Sequence, residues 1–294
     1  MKQKLKTLLH KDGPWAFILL LPSILGFFIF VLFPVVASFL LSFTSWDLLT
    51  PIKWVGFENY LKLFKDETFI KVLWNTLYFT AVTVPIGIII SLFLAVALNQ
   101  KIRFIKFYRA AYFLPVISSM VAVAVIWQWI YNPEYGLLNF ILSLFGINGP
   151  SWLSDTKWAM PAVMITSIWK GLGFNMLIFL AGIQGISESY YEAADIDGAT
   201  WFKKFIHITV PLLRPTTFFV TVMAIIGSFQ VFDAVFLLTQ GGPARSTSVL
   251  VHYLYQNGFE YFQMGYASAM AYILFFLVLA FTLIQFTLQK RREV

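Results

Sequence analysis

The stretch YYEAADIDGATWFKKFIHITVPLLRP, residues 190–215, is polar and punctuated by glycine and proline, yet it lies between two long apolar runs. Ser189 followed three residues later by Glu192 is a capping-box pattern, so a helix is expected to start there. Gly198 is expected to end it, because glycine takes a left-handed conformation at little cost. Thr200 then caps a second helix, on which Trp201, Phe202, Phe205 and Ile208 recur at helical spacing. Pro211 and Pro215 mark the entry to the next apolar run. The shape implied is a bent helix–turn–helix with its amphipathic half tucked under a bundle. Ala193 and Ala194 admit two readings. They give the first helix a low-profile side that fits another protein's groove, or they reflect helix propensity in an interfacial loop.

Which side of a membrane this stretch faces follows from the rest of the chain. Of 294 residues, 59% are hydrophobic and 12% charged, with mean hydropathy +0.77. So few charges cannot cover the surface of a water-soluble domain, so lipid must be part of the solvent. The net charge of +7 sits in short clusters beside apolar runs, as topology signals do, and does not point to nucleic acid. The absence of cysteine excludes disulfides, thiol nucleophiles and thiolate metal sites. His10, His207 and His252 are too dispersed to form a metal or triad set.

A helix needs ~20 apolar residues to cross a bilayer. Six runs qualify, near Trp15–Phe43, Val72–Leu98, Ala110–Tyr131, Trp158–Leu180, Thr217–Thr239 and Ala267–Gln289. The first is too long for the core of a cleaved signal peptide and reads as an uncleaved anchor. Pro22, Pro34, Pro85 and Pro115 do not forbid these helices, since neighbouring helices and water satisfy the freed backbone groups. Fourteen basic residues (Lys2, Lys4, Lys6, Lys11, Lys101, Arg103, Lys106, Arg109, Lys203, Lys204, Arg214, Lys290, Arg291 and Arg292) fall in the two tails and the second and fourth loops. Six (Lys53, Lys62, Lys65, Lys71, Lys157 and Arg245) fall in the other loops. The positive-inside rule then places both termini and residues 190–215 in the cytoplasm. The chain reads as one all-α integral membrane domain over 15–289, with tails at 1–14 and 290–294 and the polar segment at 187–215. Trp15, Trp46, Trp127, Trp129, Trp152 and Trp158 lie near run ends as interfacial anchors.

Few polar groups lie inside the runs. Lys170 stands about 12 residues, or roughly 18 Å, into the fourth. An intramembrane charge is costly, and it faces a cavity, snorkels, or pairs with backbone carbonyls. Asp233 admits three readings: pairing with Lys170, facing a translocation path, or marking the interface. Ser167, Gly171 and Asn175 share one helical stripe. Gly227, Ser228 and Gln230 lie at similar depth in the fifth run, where small residues more often serve packing than binding.

The spacing in the opening stretch carries a resemblance. Glu192-Ala193-Ala194, three residues, Gly198, nine residues, Ile208, one residue and Val210-Pro211 resemble the EAA motif of ABC importer permeases, with Val210 for the usual leucine. "EAADIDGATWFKKFIHITVPLLRP", "FLLTQGGP" and "WVGFENYLKLF" resemble the sugar-type permeases, maltose- and glycerol-phosphate-like, over about residues 15–289. The resemblance implies a type I ABC importer permease fold with six transmembrane helices. It makes Glu192, Ala193, Ala194, Asp195, Asp197, Gly198, Ile208 and Pro211 part of a cytoplasmic coupling helix seated on an ABC ATPase dimer. It further implies a second permease subunit in a heterodimer, an extracytoplasmic solute-binding protein, and a carbohydrate, polyol or glycerol-phosphate solute. In that family the fourth and fifth runs line the path, which adds Phe174 beside the polar stripe. No GxxxxGK[ST] occurs, so ATP and Mg belong to another chain and this chain needs no cofactor of its own. Two rivals fare worse. An intramembrane hydrolase needs a nucleophile and base at one depth, and an ion channel needs a filter-like re-entrant sequence; neither stands out.

Overall fold

Four helices are long and apolar enough to cross a bilayer in the computed structural model, which describes residues 12–100 and 103–290. They are Leu19–Leu41, Glu67–Ala97, Ala159–Gln184 and Met264–Gln289. Two bent pairs, Ile105–Ile117 with Met120–Ile130 and Trp201–Leu212 with Arg214–Phe229, bring the number to six if each is one span. The expected tails lie outside the described residues at 1–11 and 291–294, as do Lys101 and His10. Asp12-Gly13-Pro14, expected in the first tail, already belong to a helix.

The chain divides into two compact units. The first holds α1 (Asp12–Phe27), α2 (Phe33–Leu41), a two-stranded hairpin of β1 (Thr44–Ser45) and β2 (Lys53–Trp54), α3 (Glu58–Lys65) and the stretch Gln256–Tyr272. A π turn, Phe28–Leu32, joins α1 to α2. Its cause is Pro34, whose ring would strike the carbonyl four residues back in a regular helix. The wider turn removes that clash, and the Phe33 amide donates five residues back to Phe28 O. The hairpin pairs Thr44 with Trp54 and Ser45 with Lys53. Asn59 ties it down, donating through Nδ2 to Ser42 O and Thr44 O, both at 2.9 Å. Phe43 packs on Trp54, Phe57 and Tyr60.

The second unit holds α4 (Glu67–Ala97), α5 (Ile105–Ile117), α6 (Met120–Ile130), α7 (Leu137–Leu144), α8 (Ala159–Gln184), α9 (Glu188–Ile196), α10 (Trp201–Lys204), α11 (Val210–Leu212), α12 (Arg214–Phe229), α13 (Asp233–Leu238) and α14 (Leu250–Tyr255). The long α15 (Met264–Lys290) joins it from Ile273 onward. Lipid tails are as apolar as leucine, so close approach at small residues does much of the packing. A Cβ at Gly173 would lie 2.2 Å from Tyr112 O on α5, and one at Gly182 would lie 2.6 Å from Thr216 Oγ1. Two of the buried clusters that result among the described residues run between helices. One joins Phe79, Ala124, Val163, Val235 and Val249, and the other joins Ala95, Met176, Phe179, Leu213 and Val220.

Two expected spans are corrected. The third is not continuous over Ala110–Tyr131: it bends by 101° between α5 and α6 at Ser118-Ser119, both with extended backbone. Ser118, the C-terminal cap of α5, turns its hydroxyl back onto Leu114 O at 2.9 Å and so occupies one of the carbonyls at the helix end. The fifth, expected over Thr217–Thr239, ends at Phe229 and resumes as the short α13 after residues 230–232. The polar loop after α13 lies inside the unit, with Thr247 and Ser248 buried. Asn75 Nδ2 on α4 donates to Arg245 O at 3.0 Å and Ser248 O at 2.9 Å, and Lys71 Nζ donates to Ala244 O at 2.8 Å. Trp152, expected as an interfacial anchor, is buried against Tyr131 and Trp158 with its indole N–H on Asn139 Oδ1 at 2.7 Å.

Candidate functional site

A cleft of about 280 Å³ opens between α4, α8 and α12. It is lined by Ser167, Gly171, Phe174 and Asn175 of α8, Gly227 and Ser228 of α12, and Thr83 and Gly87 of α4, with Phe79 and Met223 among its apolar walls. Thus six of the nine residues expected on a solute path share one cavity. Ser167, Thr83 and Ser228 donate their hydroxyl protons to Val163 O, Phe79 O and Ile225 O at 2.8, 2.7 and 2.9 Å. Those bonds leave oxygen lone pairs as acceptors. The Asn175 side chain makes no hydrogen bond among the described residues, so its amide is available as both donor and acceptor. No charged side chain lines this cleft.

The other three expected path residues do not line it. Gln230 caps the end of α12, and Asp233 is exposed at the start of α13. Lys170 is half-buried on α8 and donates to the carbonyls of Pro115, Val116 and Ser118 at 3.1, 3.4 and 2.9 Å. It does not pair with Asp233; an ion pair that does form is Lys204–Asp195. Thr83 and Gly87 were missed in the sequence. The signal was present: Thr76, Thr80, Thr83, Gly87 and Ser91 recur three or four residues apart, a small and polar stripe along an apolar helix.

The opening stretch folds as a helix–turn–helix with one correction. Ser187, not Ser189, is the N-cap of α9: its Oγ accepts from the Ser189 amide at 3.4 Å and lies 2.8 Å from Ser189 Oγ. Glu192 therefore sits in mid-helix, exposed, rather than closing a capping box. The far end is as expected. Gly198 has φ +70°, its amide donates to Asp195 O at 3.1 Å, and the Ala199 amide donates to Ala194 O at 2.9 Å. This is a Schellman ending. No atom would meet a Cβ at Gly198, so the glycine is required by its backbone conformation alone.

Thr200 caps α10, accepting from the Lys203 amide at 3.5 Å. A second π turn, Phe205–Thr209, precedes Pro211 for the same reason as at Pro34. Two side-chain links close the corner: Lys204 Nζ to Asp195 Oδ1 at 2.6 Å, and Tyr191 OH with Thr209 Oγ1 at 2.9 Å. The first is largely exposed, worth ~0–1 kcal/mol. Phe205 stacks on Trp201 and on Phe93 of α4, tying the corner to the bundle, with Ile208 and Pro211 half-buried. Trp201 and Phe202 themselves remain exposed, so this half is less tucked in than its spacing implied. The outer edge carries Glu192, Ala193, Asp197 and Ile196, the last 88% exposed. An isoleucine so bare at the tip of a polar helix is a surface feature that pattern alone did not single out.

Residues 68–294 match the family described as the binding-protein-dependent transport system inner membrane component. The chain belongs to this family. It is 37% identical to the arabinooligosaccharides transport system permease protein AraP of Bacillus subtilis, over 95% of this chain and 88% of AraP. It is 35% identical to the lactose transport system permease protein LacF of Rhizobium radiobacter, over 99% and 98%. Among solved structures, it superposes on a chain of a bacterial ABC transporter involved in the import of the acidic polysaccharide alginate. That match has TM-score 0.85 at 27% identity and covers 95% of this chain and 96% of the other. The fold is that of a type I ABC importer permease. As a family member the chain is a transport component, with the cleft between α4, α8 and α12 and the corner α9–α11 as its candidate working parts.

Proposed function

We propose that this permease subunit carries an uncharged carbohydrate across the cell membrane, with the cleft of Ser167, Gly171, Phe174, Asn175, Gly227 and Ser228 as its share of the path. The cleft's lining carries the reading: acceptor oxygens, one free amide, an aromatic face, and no cation or anion. Sugar hydroxyls donate to such oxygens and accept from such an amide, while their C–H faces lie on aromatic rings. A phosphate or carboxylate would call for arginine, lysine or a helix N-terminus. The relatives named for lactose and arabinooligosaccharides agree with this choice, whereas the alginate importer handles an acidic solute. The choice therefore rests on the lining, which glycerol phosphate fits less well.

In this reading a second, different permease completes the pore, and a cytoplasmic ATPase dimer binds ATP and Mg. The corner α9–α11 docks on that ATPase through Glu192, Ala193, Ile196 and Asp197. A solute-binding protein delivers the sugar from the other face; a transporter structure similar to this chain was solved with an alginate pentasaccharide-bound periplasmic protein. Each ligand drives the cycle only by binding one state better than the other. The test is ATP hydrolysis by the reconstituted complex with its binding protein. Neutral oligosaccharides are expected to stimulate it, and Asn175→Leu to raise the solute concentration needed. Stimulation by phosphorylated or carboxylated solutes alone would overturn the choice of an uncharged one.

A further inference from the structure

Lys170 stands on α8 beside the break in the third span. The last turn of any helix leaves carbonyls without amide partners, and a membrane offers little water to satisfy them. At the end of α5 that need is met from within the protein. Ser118 donates its hydroxyl to Leu114 O at 2.9 Å and its amide to Pro115 O at 3.3 Å. The Lys170 ammonium adds to these, reaching Pro115 O, Val116 O and Ser118 O at 3.1, 3.4 and 2.9 Å. A cation there also meets the negative end of the helix dipole. Three residues along α8, Gly173 admits the α5 backbone so closely that a Cβ would lie 2.2 Å from Tyr112 O. The end of α5 is therefore fixed to α8 at two neighbouring points, one polar and one steric.

Beyond the break the chain turns through 101°, and α6 packs on α13. Gln128 Nε2 donates to Leu237 O at 2.8 Å, and Ala124 shares a core with Ala234, Val235 and Leu238. Helix α13 follows a break of its own, which begins just after the cleft residue Ser228 and includes Val231, also in the cleft wall. Ser167, another cleft residue, lies one turn from Lys170. The corner held by Lys170 thus sets the direction of α6, and through it the seat of α13 beside the cleft.

We infer that Lys170 is a positioning residue for transport: its ammonium, held by three backbone carbonyls, fixes the corner of the broken third span and with it the α6–α13 pair. It acts without touching solute. The transport part of the test rests on the proposed path through the cleft; the geometric part stands without it.

Phe107 on α5 and Ile126 on α6 are both exposed, and the chain has no cysteine. Spin labels on cysteines placed at these two positions report the angle across the break by their separation. The native chain and Lys170→Arg should give one narrow distance distribution, and Lys170→Met a shifted or broadened one. In the assembled importer, with cysteine-free partner subunits, Lys170→Met should lower the maximal transport rate at least about tenfold, the lower end of losing hydrogen bonds to a charged group. The solute concentration for half-maximal rate should hold. In a separate sample Lys170→Cys is assembled first and then alkylated with 2-bromoethylamine, which restores an ammonium at nearly the original reach. Rate should return, whereas the neutral reagent methyl methanethiosulfonate should not restore it. If neither variant assembles, the distances are measured on the chain alone in lipid nanodiscs. An unchanged distance distribution in Lys170→Met overturns the inference. So does a rise in the half-maximal concentration at unchanged maximal rate, which would make Lys170 a solute ligand. A wrong solute shows instead as absent transport in the native importer, with the distances still deciding the role of Lys170.

Discussion

Gly171 and Gly173 stand two residues apart on α8 and meet opposite surroundings. A Cβ at Gly173 would lie 2.2 Å from the Tyr112 carbonyl, whereas nothing lies within 4 Å of one at Gly171, which lines the cleft. The first glycine is there so that two helix backbones can touch; the second leaves room in the candidate path. Gly173→Ala should therefore push α5 off α8 and destabilise the chain by ~1–3 kcal/mol, the usual cost of overpacking. Gly171→Val should leave thermal stability in detergent nearly unchanged and instead slow transport, most for the bulkier sugars. Thermal melts and uptake rates of the two variants, measured side by side, separate these effects. Equal losses of stability would remove the basis for placing Gly171 on the path. The stripe of Ser167, Gly171 and Asn175 was legible in the sequence because helical periodicity alone puts them on one face. Gly173 was not, because its role depends on a carbonyl about sixty residues earlier in the chain.

At the scale of elements, the turn between α9 and α10 was readable because its constraint is local. Gly198 has φ +70° with open space around it, so the amino-acid type follows from the backbone and from nothing further away. The start of α9 was read two residues late, since Ser187 and Ser189 both carry the hydroxyl that a cap needs and only the folded chain chooses between them. The breaks at Ser118-Ser119 and at residues 230–232 were hidden for a different reason. Apolar residues flank both closely enough to read as one run, and part of what stabilises them comes from other helices: Lys170 of α8 at the first, and at the second Tyr255 of α14, on which Phe232 packs. These facts set an order among variants of the corner. Gly198→Val forces a β-branched residue into the left-handed region and should redirect α10, costing ATPase pull-down and transport together. Gly198→Asn, which tolerates that region better, should retain most of both. Glu192→Ala changes no cap and should do less than Gly198→Val, losing only what the exposed carboxylate contributes to docking. Full ATPase association and transport in Gly198→Val would reduce the corner to an interfacial helix.

Crossing number and direction belong to the whole molecule, and the geometry of the second unit bears on the first. Asn99 and Gln100, just after α4, line one pocket with Ile183 near the end of α8 and with Tyr191, Trp201 and Lys204 of the corner. Helices α4 and α8 therefore end on the same side, and since both are membrane-length they begin on the same side too. If both cross a bilayer, the chain between them has to cross back, and we propose that the bent pair α5–α6 makes that crossing rather than returning to its own face. The same reasoning applies to α12 and α13. They start at the corner, and the chain after them reaches Asn75 near the other end of α4, where Arg245 O and Ser248 O accept its amide. The basic residues Arg103, Lys106, Arg109, Lys203, Lys204 and Arg214 gather toward the corner's side, which on the positive-inside rule we propose is the cytoplasmic one. Single cysteines are clean reporters here because the chain has none of its own. Gln100→Cys, Ser151→Cys and Ser189→Cys all lie at exposed positions. In intact cells a membrane-impermeant maleimide should label Ser151→Cys, and should reach Gln100→Cys and Ser189→Cys only after the membrane is opened. Labelling of Gln100→Cys together with Ser151→Cys from outside would mean that α5–α6 does not cross. Labelling of Ser189→Cys from outside would invert the chain and put the corner α9–α11 beyond the reach of any cytoplasmic ATPase.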